Sequence, residues 1–249
     1  MTQTIGFIGM GPVHCTLARL SVSAGYRVLI SPFPCTSATA ELHSGTDATP
    51  EKIARESDII VLSIPFPDFT RLSPADFIGK VIVDTTNYFP CTNGIIPALE
   101  DRSATSSELI QRFLKGSLVV KALNNVDHHH LGNGPRPAGA ADRWALPVSG
   151  NDAYAKARVF SFLDRIGFDA VDNGSLADSW RMEAGMPVYV LPYIVEPPAG
   201  LTDDERRTWF RAERIRSVPP GKVRTLLARA TRTGRVGGYA EDLPPGLLE

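Results

Sequence analysis

Residues Gly9-Met10-Gly11-Pro12-Val13-His14 sit between an apolar run, Ile5–Gly9, and a stretch, 12–24, whose apolar positions Val13, Leu17, Leu20 and Ala24 share one helix face. Two glycines spaced by one residue between a strand and a helix form a phosphate-binding turn. The first allows the tight turn, the second lets a pyrophosphate approach the backbone, and a third normally lets helix and strand pack closely. Here the third position is His14. It is either a contact for a phosphate or substrate, or a tolerated substitution in the turn. Pro12 takes the first helical position, where its missing N–H costs the helix nothing, but it withdraws one amide from any bound phosphate.

A second group with chemical potential is Asp127-His128-His129-His130. In an extended segment successive side chains alternate in direction, so these histidines do not easily converge on one ion. A structural or loop role comes first, a substrate-facing acid or base such as His128 second, a metal ligand last. Asn87 and Asn124 offer amide donors to a carbonyl or carboxamide, or satisfy their own loops. Asp84 ends a core strand and is placed to order Thr85-Thr86-Asn87. Lys121 ends another strand, facing a bound anion or solvent.

The residues after the second strand usually select a dinucleotide: an acid holds the ribose hydroxyls, while arginine and serine take a 2′-phosphate. The sequence there is Ser31-Pro32-Phe33-Pro34-Cys35-Thr36-Ser37. It holds neither acid nor base, and only Ser31, Thr36 and Ser37 can hydrogen-bond through their side chains.

The elements that must position these groups follow a β-α-β rhythm. Strands are expected at Ile5–Gly9, Tyr26–Ile30, Asp58–Ile64, Lys80–Asp84, Leu118–Lys121, Ala145–Ser149 and Phe168–Val171. Helices are expected at 12–24 and at 50–56, where Pro50 starts the segment. Thr105-Ser106-Ser107-Glu108 has capping-box spacing and predicts a helix through Leu114. Asn151 is expected to cap a helix to about Ile166, ended by Gly167. Near-continuous Val/Ile/Leu strands predict an α/β fold, a doubly wound parallel sheet covered on both faces, over residues 1–175.

Residues 176–249 read as a C-terminal extension. Trp180-Arg181 and Tyr189–Tyr193 are candidates for an aromatic wall or for core packing. Asp203–Arg216 and Lys222–Arg232 look helical and basic, with ten Lys/Arg against four Asp/Glu between Leu201 and Arg235. A solvated helix face or an anionic ligand or partner explains that excess. The Gly/Pro-rich loop Leu131–Asp142 is a candidate lid.

The chain has 249 residues, a net charge of −1 and 43 % hydrophobic residues. Nothing in that balance points to nucleic acid or a membrane surface. No apolar run approaches the roughly 18 residues that would cross a bilayer, and no leader pattern precedes the first strand, so a cytoplasmic setting is expected. Cys15, Cys35 and Cys91 are too widely spaced for a zinc motif or a disulfide framework.

The strings DIIVLSIPF, GKVIVDTTNYFP, SATSSEL, VKALNNV, ALPVSGNDAYAKA and GFDAVDNGSLADSW resemble the NADP oxidoreductases dependent on the deazaflavin coenzyme (factor 420), and more closely their bacterial relatives of unassigned substrate. The resemblance spans residues 3–195. It implies a Rossmann-like NAD(P)-binding fold with the nicotinamide over the carboxyl ends of the strands. Carried over by position, Gly9, Gly11, Pro12 and Val13 match the phosphate turn. Ser63, Ile64 and Pro65 match the loop beside the cofactor ribose, and Ala122, Leu123 and Asn124 line the nicotinamide cleft with Asn87. Adding Ser31, the expected cofactor-binding residues are Gly9, Gly11, Pro12, Val13, Ser31, Ser63, Ile64, Pro65 and Ala122. The candidate catalytic residues are His14, Asn87, Asn124 and His128, with no metal.

The implied activity is hydride transfer between NADP(H) and a deazaflavin or another conjugated small molecule, by an enzyme that forms homodimers. The departures at His14 and after the second strand leave two alternatives. One is a non-redox cyclase or isomerase on a degenerate cofactor site, using His14 or one of His128–His130. The other is a catalytically silent binding subunit.

Overall fold

A computed structural model describes residues 2–9, 11–33, 45–212, 216–245 and 247. The expectations for Thr36 and Ser37 lie outside these residues.

The first half of the chain builds one side of a sheet. Strand β1 (Thr4–Gly9) is buried at every residue, as its apolar run requires. Helix α1 (Pro12–Ser23) and strand β2 (Arg27–Ser31) follow, then the two-residue β3 (Thr46–Asp47), α2 (Pro50–Glu56) and β4 (Ile59–Ser63). Thr49 caps α2 by accepting from the Lys52 amide. Strand β5 (Val81–Asp84) leads through two single-turn helices, α3 (Pro90–Asn93) and α4 (Pro97–Glu100), into α5 (Ser106–Phe113). Both capping-box bonds of α5 are formed: the Glu108 amide donates to Thr105 Oγ1 at 3.2 Å and the Thr105 amide to Glu108 Oε2 at 2.8 Å.

The second half contributes β6 (Leu118–Lys121), α6 (His128–Asn133), β7 (Ala145–Gly150), α7 (Ala153–Arg165), β8 (Asp169–Asp172), α8 (Asp203–Arg211) and α9 (Pro220–Arg229). The histidine run is thus helical rather than extended. Asp127 makes it so, accepting from the amides of His129 and His130 at the N-terminus of α6. The cap of α7 is Asp152, which accepts from the Ala155 amide at 2.7 Å, and not Asn151. Asn151 turns instead to accept from the Leu176 amide at 2.9 Å.

Among the described residues eight strands run in the order β3-β2-β1-β4-β5-β6-β7-β8. All pairings through β6 are parallel. The order reverses between β1 and β4, which is where open α/β sheets bind ligands. Strand β7 departs from the all-parallel expectation. It meets β6 antiparallel, through Val120↔Gly150 and Lys121↔Ser149, and β8 then runs parallel to β7.

Alternation along β1 sends Ile5 and Phe7 into one apolar cluster and Ile8 into the other. The cluster around Phe7 takes in Trp144, Phe162 and Tyr193, and also Val218, Val223 and Leu226. Residues after 176 therefore share the core of the sheet. The outer strand β8 carries two charges that are met from neighbouring elements: Arg143 Nη1 lies 3.2 Å from Asp169 and Lys156 Nζ 2.8 Å from Asp172. Among the described residues no helix is long and apolar enough to cross a membrane.

Candidate functional site

A cleft of about 390 Å³ opens at the carboxyl ends of β1, β4 and β5. Gly11 and Pro32 line one end. Ser63, Ile64, Pro65 and Phe66 form the middle, and Thr85, Thr86 and Asn87 the other end, with Phe89, Thr92 and Asn93 from the start of α3 alongside. Its size suits a small-molecule ligand. Among the described residues none of these carries a charged side chain.

The two glycines of the turn have different physical reasons. Gly9 has a φ of +133°, and a Cβ there would lie 1.9 Å from the Ser63 carbonyl oxygen, so only glycine fits. That close approach locks the end of β1 onto β4. At Gly11 a Cβ would meet nothing within 4 Å; the space over this backbone is open, as a pyrophosphate needs. Helix α1 has no side-chain cap, and its first bond runs from the Cys15 amide to the Gly11 carbonyl. The Val13 amide precedes that bond and so has no intrahelical partner at the positive end of the helix.

His14 does not line this cleft. Its side chain is buried at 0 % exposure, with its ring edge-on to Phe7 at 5.3 Å. The bulky third residue has turned into the core between α1 and β1, which answers how the turn survives without a third glycine. Pro12 is exposed and Val13 half-buried. Ser31 is buried, and its Oγ accepts from the Phe33 amide at 3.5 Å. Ala122 is fully buried in the apolar cluster around Phe7 and does not line the cleft.

Asn87 and Asn124, 37 residues apart in the chain, are brought together. Asn87 Nδ2 donates to the Asn124 carbonyl at 2.9 Å, and Asn124 Nδ2 donates back to Asn87 Oδ1 at 3.0 Å and to the Met182 carbonyl at 2.8 Å. Asn124 Oδ1 is buried with no hydrogen-bond partner. The chain reaches Asn124 through Leu123, whose φ of +63° is a left-handed conformation for a leucine, costing on the order of 1 kcal/mol. That turn lets the loop after β6 face the loop after β5.

Beneath the asparagines lies a charged floor. Asp84 and Lys121 are register partners at the ends of β5 and β6. Both side chains are at 0 % exposure, with Nζ 3.1 Å from Asp84 Oδ2. Lys121 also donates to the Thr86 carbonyl. Ser107 Oγ donates to Asp84 Oδ2 at 2.6 Å, and Asp84 Oδ1 accepts from the Thr86 amide at 2.8 Å. Asp84 thus orders its loop as expected, whereas Lys121 faces neither solvent nor a cleft anion. Glu183 extends the floor into the C-terminal residues by accepting from Ser106 Oγ at 2.7 Å.

The remaining candidates lie elsewhere. His128 and His129 stack at 3.8 Å on α6, and the His128 carbonyl accepts from Thr16 of α1 at 3.4 Å; neither ring lines the cleft. Burial lowers the His128 imidazole below its ordinary value, aided by His129, and burial likewise lowers His129. Asp127 is half of a pair with His130, at 2.7 Å. Its burial pushes the carboxyl up, but the bond and charge of His130 outweigh that and leave it below the usual range. The loop expected as a lid packs away from the cleft. Pro135 lies against Gly167, and Gly134 against Trp144.

Tyr193 is core rather than wall: it is fully buried, donates to the Ala145 carbonyl at 3.0 Å and accepts from Asn125 Nδ2 at 3.1 Å. Trp180 lines a separate cavity of about 40 Å³ with Arg102, Glu183 and Arg232, and Arg181 and Arg232 sit over its ring at 4.5 and 5.5 Å.

Residues 4–88 match the family model described as NADP oxidoreductase coenzyme F420-dependent. Over these residues the chain is similar to that family. They include β1 to β5 and end within the Thr85–Tyr88 loop, so they cover most of the cleft lining. An F420-dependent NADP reductase of Methanocaldococcus jannaschii is 30 % identical over 144 residues, which cover 55 % of this chain and 62 % of that protein. The chain spans 37 % and 43 % of two further curated relatives, less than two thirds of each of the three. Among solved structures, a hypothetical protein, SMa0349, from Sinorhizobium meliloti is 25 % identical with a TM-score of 0.60, over 79 % of this chain and 97 % of its own. A putative F420-dependent NADP-reductase from Arthrobacter sp. FB24 is also 25 % identical, with a TM-score of 0.58, over 70 % and 86 %.

Sequence reasoning missed Phe89, Thr92 and Asn93. Pro90, at the first position of α3, was the available signal for that helix. It also missed that Asp84 and Lys121 pair, although opposite charges ending two neighbouring strands of a buried sheet indicate it.

Proposed function

We propose that this protein is an NADP(H)-dependent oxidoreductase that passes a hydride between nicotinamide and a small conjugated molecule, a deazaflavin or another planar acceptor. The observation that carries this reading is the open space over Gly11 at the N-terminus of α1, continuous with an uncharged cleft at the switch point of the sheet.

In this reading Gly11 and the Val13 amide would hold the pyrophosphate, Ser63, Ile64 and Pro65 would flank the ribose, and Thr85–Asn87 would border the nicotinamide. The nicotinamide supplies the hydride when bound. The protein orients it and keeps water from it, work that needs no acid or base in the cleft. Phe66 and Phe89 supply apolar surface, and Asn87, held by Asn124, presents its side-chain amide to the cleft at a fixed position. The charged floor holds Thr86 and Asn87 in place before any ligand arrives.

A non-redox enzyme would need one of its histidines in the cleft. His14 is turned into the core and α6 packs on α1, which weighs against that alternative.

Titration of the purified protein with NADPH, followed by nucleotide fluorescence and calorimetry, tests the reading. Saturable binding in the micromolar range is expected. Absence of binding at millimolar NADPH overturns it.

A further inference from the structure

The segment after β2 has no cation of its own among Ser31, Pro32 and Phe33, yet one is delivered to it from another part of the chain. The guanidinium of Arg71 lies over the Phe33 ring, 5.2 Å from its centroid. Arg71 ends a single helical turn, Asp68–Arg71, in the connection between β4 and β5. Phe69 of that turn is buried between Phe66 and Phe113, at ring distances of 5.0 and 5.6 Å, which fixes the turn against the sheet. Phe33 packs partly buried on the same apolar cluster. The neighbouring residue, Pro32, lines the cleft with Gly11.

We propose that Arg71, seated on Phe33, is the residue that recognises the 2′-phosphate of NADP(H) and so sets the preference for NADP(H) over NAD(H). The inference rests on the oxidoreductase reading and deepens it. A dinucleotide with its pyrophosphate over Gly11 directs its adenosine toward the end of β2, where the ribose 2′ position is read in this fold. Pro32, which lines the cleft, is one residue from Phe33, a Cα spacing of about 3.8 Å, so the ring that carries the guanidinium follows directly on a cleft-lining residue.

Arginine suits the task. Its planar fork takes two phosphate oxygens at once while its face rests on an aromatic ring. The arginine side chain is 55 % exposed, and its ion pair with Asp68 is long, 3.8 Å. An exposed pair of that geometry holds the guanidinium only weakly, which leaves its donors available to a phosphate. The connection between β4 and β5 thereby supplies what the segment after β2 lacks.

The test compares NADPH with NADH, by calorimetry and nucleotide fluorescence, on the wild-type chain, Arg71→Gln, Arg71→Lys and Phe33→Leu. The wild type is expected to bind NADPH at least about tenfold tighter than NADH. Arg71→Gln should lose about tenfold or more in NADPH affinity and leave NADH within about twofold. Arg71→Lys, which keeps the charge without the fork, should fall between, and Phe33→Leu should weaken NADPH alone. Unchanged melting of each variant shows that the fold is intact. Equal weakening of both nucleotides by Arg71→Gln, or no weakening of either, overturns the assignment. So does a wild type that binds NADH as tightly as NADPH, a result that leaves the oxidoreductase reading standing. A wild type that binds neither nucleotide overturns both.

Discussion

The two ends of the cleft are built in opposite ways. At the β1–β2 end the walls are backbone and apolar surface: Gly9 against the Ser63 carbonyl, open space over Gly11, Pro32 and Phe33 beyond. At the β5–β6 end a fully buried ion pair is bonded by Ser107 of α5, and two asparagines bond each other across the loops after β5 and β6. In the proposed reading, one end receives a group whose charge is met by amides and by Arg71. The other is held rigid by its own polar bonds. A site that must clamp an interchangeable nucleotide and also fix a reacting ring benefits from dividing the work in this way.

The largest effect should come from the rigid end. Lys121→Met strands the Asp84 carboxylate in the core and is expected to cost about 3–5 kcal/mol in urea unfolding. Adding Asp84→Leu should recover much of that loss. A single variant that unfolds like the wild type would show that the floor is not a stabilising unit.

At the other end the glycines separate shape from ligand. Gly9→Ala places a methyl on the Ser63 carbonyl at positive φ and should lose about 3 kcal/mol. Gly11→Ala should unfold within about 0.5 kcal/mol of the wild type yet bind NADPH more weakly. Equal stability losses at both glycines would erase the distinction.

Smaller still is the effect expected of Asn87→Ala, which removes both bonds to Asn124. The rate with NADPH should fall about tenfold, equivalent to roughly 1.4 kcal/mol, with little change in NADPH affinity. A fall in affinity alone would move Asn87 from orienting the nicotinamide to merely closing the cleft.

The smallest expected effect lies outside the cleft, on α6. His128 and His129 have folded values below the ordinary one near 6.5. The unfolded chain therefore takes up their protons first as pH falls. The stability they contribute is complete above about pH 6.5 and declines as pH drops below it. The unfolding midpoint should fall modestly between pH 7.5 and 5.5, and a His128→Asn, His129→Asn double variant should flatten that slope. Asp127, also lowered, adds its own loss only in the acid range below about pH 4.

What could be read from the chain follows from how local each signal is. The apolar runs gave β1, β2, β4, β5, β6, β7 and β8 to within a residue or two at each end, because a strand buried on both faces leaves no room for polar residues. Thr105 to Glu108 revealed the start of α5 because a capping box is complete within four residues. The two-residue β3 was invisible, since it exists only by pairing with β2 and both residues are exposed. Helix α6 was missed because His-His-His-Leu-Gly-Asn has no apolar period and modest helix propensity; Asp127 was its only local mark. Asn151 and Asp152 are adjacent capping residues, and the choice between them fell to the distant Leu176 amide. In the cleft, Asn87 and Asn124 were each visible as donors. Their pairing was not, because it depends on the left-handed turn at Leu123. Arg71 was unreadable for a similar reason: its proximity to Phe33 is a property of packing between β2 and the β4–β5 connection.

The sheet's two margins bear on how copies of this chain can meet. One margin is β3, only two residues long. The other is β8, whose Asp169 and Asp172 are engaged by Arg143 and Lys156. A brief strand and a charged one are both poor templates for another chain's backbone. Self-association by extending the sheet from molecule to molecule is therefore disfavoured at either margin. Among the described residues the same two strands discourage β-sheet addition of the kind that leads to fibrous aggregates.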